Sequence, residues 1–100
     1  MNKFLQLLGL AARARMIVSG EFAVEKAIKE QKVHLVIVAS DASDNTKKHF
    51  NDMCIYRDIP IVFASMKENL GKCTGKPERA SIGVLDKGFA VRLASELREG

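Results

Sequence analysis

The sequence predicts an α/β protein, a three-layer α/β/α sandwich around a small mixed, mostly parallel sheet of about four strands. Helical and extended patterns alternate along the chain, as they do when helices cover a sheet. The extended segments VHLVIVAS (33–40) and ASIGVLD (80–86) are apolar without alternating polar residues, which indicates strands covered on both faces. Because 100 residues are enough for one core, we expect a single domain over residues 1–100.

The first half of the chain starts with an amphipathic helix, followed by a short extended segment, MIVS (16–19). A second helix begins near Gly20, where Ser19 and Gly20 suit the N-cap. After the strand at 33–40, DASDNTKKHFNDMCIYRD (41–58) opens with capping residues and continues as a third helix. The apolar residues that recur with helical spacing in the second and third helices are Val24, Ala27, Ile28, Phe50, Met53 and Cys54.

The second half repeats the alternation with shorter segments. IPIVFAS (59–65) reads as a strand, and KENLGKC (67–73) as a short helix that ends near Gly75 and Pro77. The strand at 80–86 and a last helix, KGFAVRLASELRE (87–99), complete the pattern. Core positions are expected at Val24, Leu70, Ile82, Ala90, Leu93, Ala94 and Leu97.

Charge and hydropathy limit the partners of the chain. The net charge is +4, and no acidic residue precedes Glu21, which suits either an acidic partner such as nucleic acid or a solvated basic surface. No apolar run approaches the roughly 18 residues that indicate a membrane span. Arg13 and Arg15 interrupt the N-terminal apolar stretch before any signal-like cleavage site. We therefore expect a cytoplasmic protein without a membrane partner and, lacking long apolar heptads, a monomer.

The cysteine and histidine content predicts neither a disulfide framework nor a metal site. Cys54 and Cys73 form no CxxC pair and are expected to be reduced structural thiols. His34 and His49 have no second histidine or cysteine at ligand spacing. We expect no metal and no cofactor.

Two segments invite an enzymatic interpretation. GKCTGKP (71–77) resembles a phosphate loop, but three residues separate its glycines instead of four, and a proline follows its second lysine. ASDASDNTKKH (39–49) follows a buried strand and supplies Asp41, Asp44, Asn45 and His49. The same residues are suited to starting a helix, and no nucleophile is paired with a base. The sequence thus favours a protein that is not an enzyme.

The start of the second helix is the main candidate for binding. A helix N-terminus carries free N–H groups and partial positive charge, so an uncovered one attracts anions. Phe22 and Phe89 have the chemistry to stack on nucleobases. Both lie beside apolar stripes, however, which favours core or staple positions.

Three strings occur in an order and spacing that is specific to one family: GLAARARMIVSGEFAVEKAI (9–28), VIVASDASDNTKK (36–48) and SMKENLGKCTGKPERASIGVLDKGFA (65–90). Over nearly its whole length the chain resembles YlxQ-type bacterial members of the L7Ae/L30e family of kink-turn-binding ribosomal proteins. The resemblance implies an α/β/α domain without cofactor or catalysis that binds structured RNA, typically the kink-turn with its tandem G·A pairs. It also implies ribosomal or other translation components as further partners.

The resemblance also implies a docking surface, made of SGEFAVEK (19–26) and GKCTGKPERA (71–80). There Gly20 lets the backbone approach RNA, and the first helical turn faces the G·A base edges. Strong kink-turn binders carry a polar pair, typically Asn-Glu, where this chain has Phe22 and Ala23, and neither side chain can bond a base edge. In the loop, Lys76 and Arg79 favour phosphate contact over stacking.

The hypothesis is therefore an RNA-binding surface that combines backbone N–H groups with basic side chains. Glu21 replaces the missing base reader. The predicted RNA-binding residues are Gly20, Glu21, Phe22, Ala23, Lys26, Lys29, Lys76 and Arg79. One alternative is a protein-interaction module of the translation or transcription machinery, favoured by the apolar Phe22 and Ala23. Another is a small-ligand enzyme that uses Asp41, Asp44 and His49.

Overall fold

A computed structural model describes residues 2–99, which form five helices and four strands. The elements follow the predicted alternation. In chain order they are α1 (Lys3–Arg13), β1 (Ile17–Ser19), α2 (Glu21–Lys29), β2 (Leu35–Val38), α3 (Asp44–Arg57), β3 (Ile61–Phe63), α4 (Lys67–Cys73), β4 (Ser81–Val84) and α5 (Lys87–Glu99).

The four strands form one mixed sheet in the order β1-β4-β2-β3, which confirms the predicted fold class. The expectation that this sheet is mostly parallel is wrong. Of the three hydrogen-bonded strand pairs only β2–β3 is parallel, whereas β4 pairs antiparallel with both β1 and β2. Apolar composition reports that a strand is covered on both faces, but it does not report the direction in which the strand enters the sheet.

The helices cover the sheet in two groups. α1 packs against α4 and α5, while α2 packs on β1 and β4, and α3 packs on β2. α2 and α3 are joined side by side, with His49 Nε2 3.3 Å from a carboxylate oxygen of Glu25. The three-layer arrangement follows from this division.

The core lies on the two central strands, where every residue of β2 and β4 is buried. The predicted core residues Val24, Leu70 and Ile82 are fully buried. Phe89 is partly buried against the core, as expected. The same expectation is wrong for Phe22, whose side chain is 81% exposed. Phe22 lies two residues before the buried Val24, and two residues turn a helix by about 200°, so the Phe22 side chain faces away from the sheet.

Both cysteines are free thiols. Cys54 is buried in α3, and burial raises the pKa of its thiol to about 11, although nearby Arg57 opposes the shift. Burial also raises the pKa of the Cys73 thiol. A thiol with a raised pKa stays protonated near neutral pH, and a protonated thiol is a weak nucleophile and a weak metal ligand. The raised pKa values therefore fit a structural role for both cysteines.

Neither a membrane span nor a metal cluster stands out in the part of the chain that the structure describes. Within residues 2–99, no helix has the length and apolar character needed to cross a membrane. The same residues contain no group of three or more histidine, cysteine or carboxylate side chains placed to hold a metal ion.

Candidate nucleic-acid interface

One end of the sheet brings together the start of α2 and the loop between α4 and β4, which spans residues 74–80. β1 and β4 pair so that Ser19 lies opposite Ile82. The Gly20 N–H donates to the Ser81 carbonyl oxygen at 3.0 Å. The Arg79 Nε donates to the Ser19 Oγ at 3.2 Å, across 60 residues of sequence. The two predicted segments therefore form one surface, called here the α2–loop surface.

Gly20 connects β1 directly to α2. Its backbone has φ +94° and ψ 151°, a conformation that is open essentially to glycine alone. Its carbonyl accepts the Val24 N–H at 3.0 Å, so the helix begins at once. No side chain from residues 2–99 caps the start of the helix. The first-turn N–H groups of Glu21, Phe22 and Ala23 consequently have no intrahelical acceptor and present partial positive charge to a ligand.

The loop is held by close backbone packing at Gly71. The Gly71 carbonyl accepts the N–H groups of Thr74 and Lys76 at 3.0 and 2.9 Å. A Cβ atom at Gly71 would lie 2.0 Å from the Pro77 carbonyl oxygen. Gly75 completes the turn with φ +71°. The chain can fold back over α4 in this way only because residue 71 lacks a side chain.

Arg79 is the best fixed of the predicted contact residues. Its N–H donates to the Lys67 carbonyl at 3.1 Å, and its Nη1 donates to the Glu78 carbonyl at 3.0 Å. Its Nε lies 3.9 Å from the place a Cβ would occupy at Gly20. Within residues 2–99, Nη2 has no acceptor. The guanidinium is thus oriented beside the helix start with donors to spare.

The acidic segment suggested for an enzyme is used to build helices. Asp41 Oδ1 accepts the Lys67 N–H at 2.8 Å and so caps the start of α4. Ser43 is the N-cap of α3, and its Oγ accepts the Thr46 N–H at 3.1 Å. His49 contacts Glu25 of α2. Residues of this segment therefore cap helices, as predicted, and the Asp41 carboxylate is occupied by a structural hydrogen bond.

The basic residues differ in how far their charge is already compensated. Lys26 and Lys29 lie 3.8 Å from Glu30 and Glu25, respectively, one turn away on the same helix. Lys76 and Arg79 form no ion pair with any residue from 2 to 99. Positive charge available to an anion is therefore greater on the loop than on α2.

Among the predicted residues of α2, Lys29 lies farthest from the helix start. It ends α2, eight residues after Glu21, which corresponds to about 12 Å along the helix axis. Gly20, the first turn of α2 and Arg79 are adjacent, and Lys76 lies in the same loop. The structure hence places Lys29 away from Gly20 and Arg79, although it lines a groove together with Phe22 and Lys26.

Comparison with known proteins places the chain in a family. Residues 2–94 match the model of the Ribosomal protein L7Ae/L30e/S12e/Gadd45 family. The chain belongs to this family. Two relatives named RNA-binding protein YlxQ are similar to it. The one from Bacillus subtilis (strain 168) is 44% identical over 91% of each chain, and the one from Enterococcus faecium is 37% identical over 99% of this chain and 94% of the relative.

Solved structures extend the L7Ae/L30e/S12e/Gadd45 comparison. A protein with unknown function from Bacillus halodurans C is 45% identical, with a TM-score of 0.94 over 98% of this chain and 99% of that chain. The Giardia lamblia 15.5kD RNA binding protein has a TM-score of 0.78 at 23% identity, over 95% of this chain and 82% of that chain. The second likeness shows the shared fold.

Sequence patterns missed two serines of the α2–loop surface. Ser19 fits an N-cap by residue type, but it ends β1 and accepts the Arg79 Nε. Ser81 is 1% exposed, and its carbonyl fixes the Gly20 N–H. Its Oγ has no partner among the described residues. Since both contacts join segments that are remote in sequence, no local signal could have revealed them.

We predict that Gly20→Ala destabilises this L7Ae-family chain by about 1 to 2 kcal/mol, because a side chain at φ +94° is strained. The measurement is urea unfolding followed by circular dichroism. Gly75→Ala is a comparison at another positive φ, +71°, where nothing lies within 4 Å of the added carbon. Its φ falls near the left-handed helical region, so the cost should be smaller. Equal stability of wild type and Gly20→Ala would contradict the strain.

Proposed function

We propose that this chain is a non-catalytic RNA-binding protein that recognises kink-turn-like structured RNA in a translation or ribosome context. The observation that carries the proposal is the side-by-side position of uncapped α2 and Arg79. Two relatives at 44% and 37% identity bear the name RNA-binding protein, which supports the same chemistry. The fold shared with the Giardia lamblia protein is consistent with it.

The α2–loop surface offers two kinds of donor to a nucleic acid. The N–H groups of the first turn of α2 bind phosphate or base-edge acceptors at close range, because Gly20 has no side chain to hold the ligand away. The Arg79 guanidinium binds phosphate oxygens with its unused donors. Lys76 adds an uncompensated charge from the same loop. Together these groups favour an RNA whose backbone bends sharply, because such a bend brings several phosphates near the start of α2.

Base selection in this proposal depends on Glu21. Its carboxylate lies on the exposed first turn of α2, and a carboxylate accepts hydrogen bonds from nucleobase amino groups. Phe22 and Ala23 offer no polar side-chain atom. We therefore assign hydrogen-bonded reading of base edges to Glu21 and to backbone N–H groups.

The test is a titration of labelled kink-turn RNA and of the same RNA with its G·A pairs replaced by Watson–Crick pairs, at several salt concentrations. A preference for the kink-turn that persists at physiological salt supports the proposal, since phosphate contacts alone are lost steeply as salt rises. Equal and steeply salt-dependent binding of both RNAs would contradict kink-turn recognition. Absence of binding to either RNA would contradict the RNA-binding function itself.

Two variants separate phosphate contact from base reading. Lys26→Ala should lower affinity by a similar factor for all related RNAs, by about threefold given its partial compensation by Glu30. Glu21→Ala should change the ratio of affinities between the two RNAs. Lys87→Ala, which removes an equal charge at the opposite end of the sheet, is the control for net charge. Lys26→Ala and Lys87→Ala with the same affinity would exclude a Lys26 contact.

A second candidate function is a protein-interaction module of the translation or transcription machinery. It is favoured by one observation, the 81% exposure of Phe22 at the helix start. In that case a partner would be retained through nuclease treatment and high salt, and the kink-turn titration would show no specific binding. The two candidates therefore give opposite results in the same pair of measurements.

A further inference from the structure

Phe22 is an aromatic side chain that the fold of the protein does not bury. It projects from the first turn of α2 with 81% of its surface exposed. No aromatic ring and no cation lies over it among residues 2–99. Tyr56, equally exposed at 83%, differs because the Arg57 guanidinium lies 5.2 Å from its ring centroid. Phe22 thus offers an uncovered ring face beside the donors of the α2–loop surface.

The surroundings of Phe22 indicate what can cover it. Shallow grooves of about 390 and 370 Å³ border the ring, and Lys26 and Glu30 line both of them. Lys29 lines one groove and Lys32 the other. In the first groove every lining residue other than Phe22 is charged, whereas Val18, Ala23, Ala27 and Leu85 add apolar surface to the second. The core of a protein–protein interface is depleted of charged residues, which argues against a protein partner at this point.

Charge on both sides of the ring favours a ligand that is flat, apolar on its faces and carried on an anionic chain. A nucleobase has those properties, and its phosphates can reach the α2 N–H groups and Arg79 next to Phe22. Stacking of a base on an aromatic side chain contributes substantially to binding and tolerates any base, because every base has a π-face.

We propose that Phe22 stacks on an unpaired base of the bound RNA, so that this chain detects the presence of an exposed base without reading its identity. The inference rests on the proposed RNA-binding function. In the proposed function, the backbone of the first turn of α2 makes only hydrogen bonds to the RNA. The stacking proposal adds a contact from the Phe22 side chain. Base identity is then read, if at all, by Glu21.

The test combines protein variants with RNA lacking single bases. Phe22→Ala should weaken kink-turn binding about tenfold, whereas Phe22→Tyr should bind within about twofold of wild type and Phe22→Leu should resemble Phe22→Ala. Tyr56→Ala, the matched exposed aromatic on α3, should leave affinity unchanged.

Each unpaired nucleotide of the RNA is also replaced singly by an abasic residue. At one position the abasic RNA should weaken wild type about tenfold and have no further effect on Phe22→Ala, while exchange of that base for another should have little effect.

The outcomes distinguish this inference from the function on which it rests. If wild type binds the RNA and Phe22→Ala binds it with the same affinity, the stacking contact is overturned, whereas RNA recognition is retained. Phe22→Leu binding as tightly as wild type also overturns it, because a non-aromatic side chain cannot stack. Additive effects of Phe22→Ala and every abasic substitution overturn it as well, since the ring and the base would then act independently. Failure of wild type to bind RNA overturns both proposals.

Discussion

Replacing Gly71 with alanine is expected to lower the free energy of unfolding by about 3 kcal/mol, the upper end of the usual cost of overpacking. The added carbon would lie 2.0 Å from the Pro77 carbonyl oxygen. Backbone cannot rotate away as a flexible side chain can, so the loop must move off α4. The measurement is urea unfolding of both proteins. RNA affinity of the folded variant should fall as well, because Arg79 moves with the loop.

Gly9→Ala is the matched control for this substitution. Gly9 also lies in a helix and is buried, but its added carbon would meet the Cys73 carbonyl at an ordinary 3.6 Å. Alanine favours helix over glycine by roughly 1 kcal/mol, so this variant should be as stable as wild type or more stable. Equal effects of the two substitutions would show that packing at Pro77 does not constrain the loop.

Replacing Arg79 with alanine is expected to lower affinity for structured RNA by about 10- to 100-fold. A hydrogen bond to a charged group contributes roughly 1.5 to 3 kcal/mol, and about 1.4 kcal/mol corresponds to a factor of ten. Arg79 is held by Ser19 and Glu78, so little ordering remains to be done on binding. The measurement is RNA titration at several salt concentrations, in which the salt slope should fall by about one.

Two further variants control this prediction. Arg79→Lys keeps the charge but loses the forked donors and the oriented Nε, so it should recover only part of the affinity. Arg98→Ala removes an arginine at the opposite end of the sheet and should have little effect. If Arg98→Ala lowered affinity as much as Arg79→Ala, binding would depend on net charge and not on the α2–loop surface.

The fold was predictable because each element carries a local signal. Apolar runs identify β2 and β4, and Ser43 precedes α3 as a cap should. Strand direction was not predictable in this way. β4 reaches the middle of the sheet after α4 and runs against both neighbours, and nothing within Ser81–Val84 differs from the pattern of a parallel strand.

The candidate site was predictable only as two separate segments. The resemblance identified the start of α2 and the loop after α4, but their joint geometry depends on the Arg79–Ser19 and Gly20–Ser81 hydrogen bonds. Such contacts leave no periodic trace in sequence. Phe22 was misplaced for a different reason. A phenylalanine near an apolar stripe is usually buried, but Phe22 lies about 200° around the helix from the buried Val24, so the helical period and not residue type decides its exposure.

The pairing of β1 with β4 links ligand binding to an edge strand of the sheet. β1 has three residues, each only partly buried, and pairs on one side alone. Short edge strands open locally at lower free energy than central strands. When β1 opens, Ser19 and Gly20 leave their partners, so a ligand of the α2–loop surface binds only the closed state. Ligand binding must therefore slow amide hydrogen exchange in β1 before it changes exchange in β2. Exchange in this edge strand then measures how far the α2–loop surface is occupied.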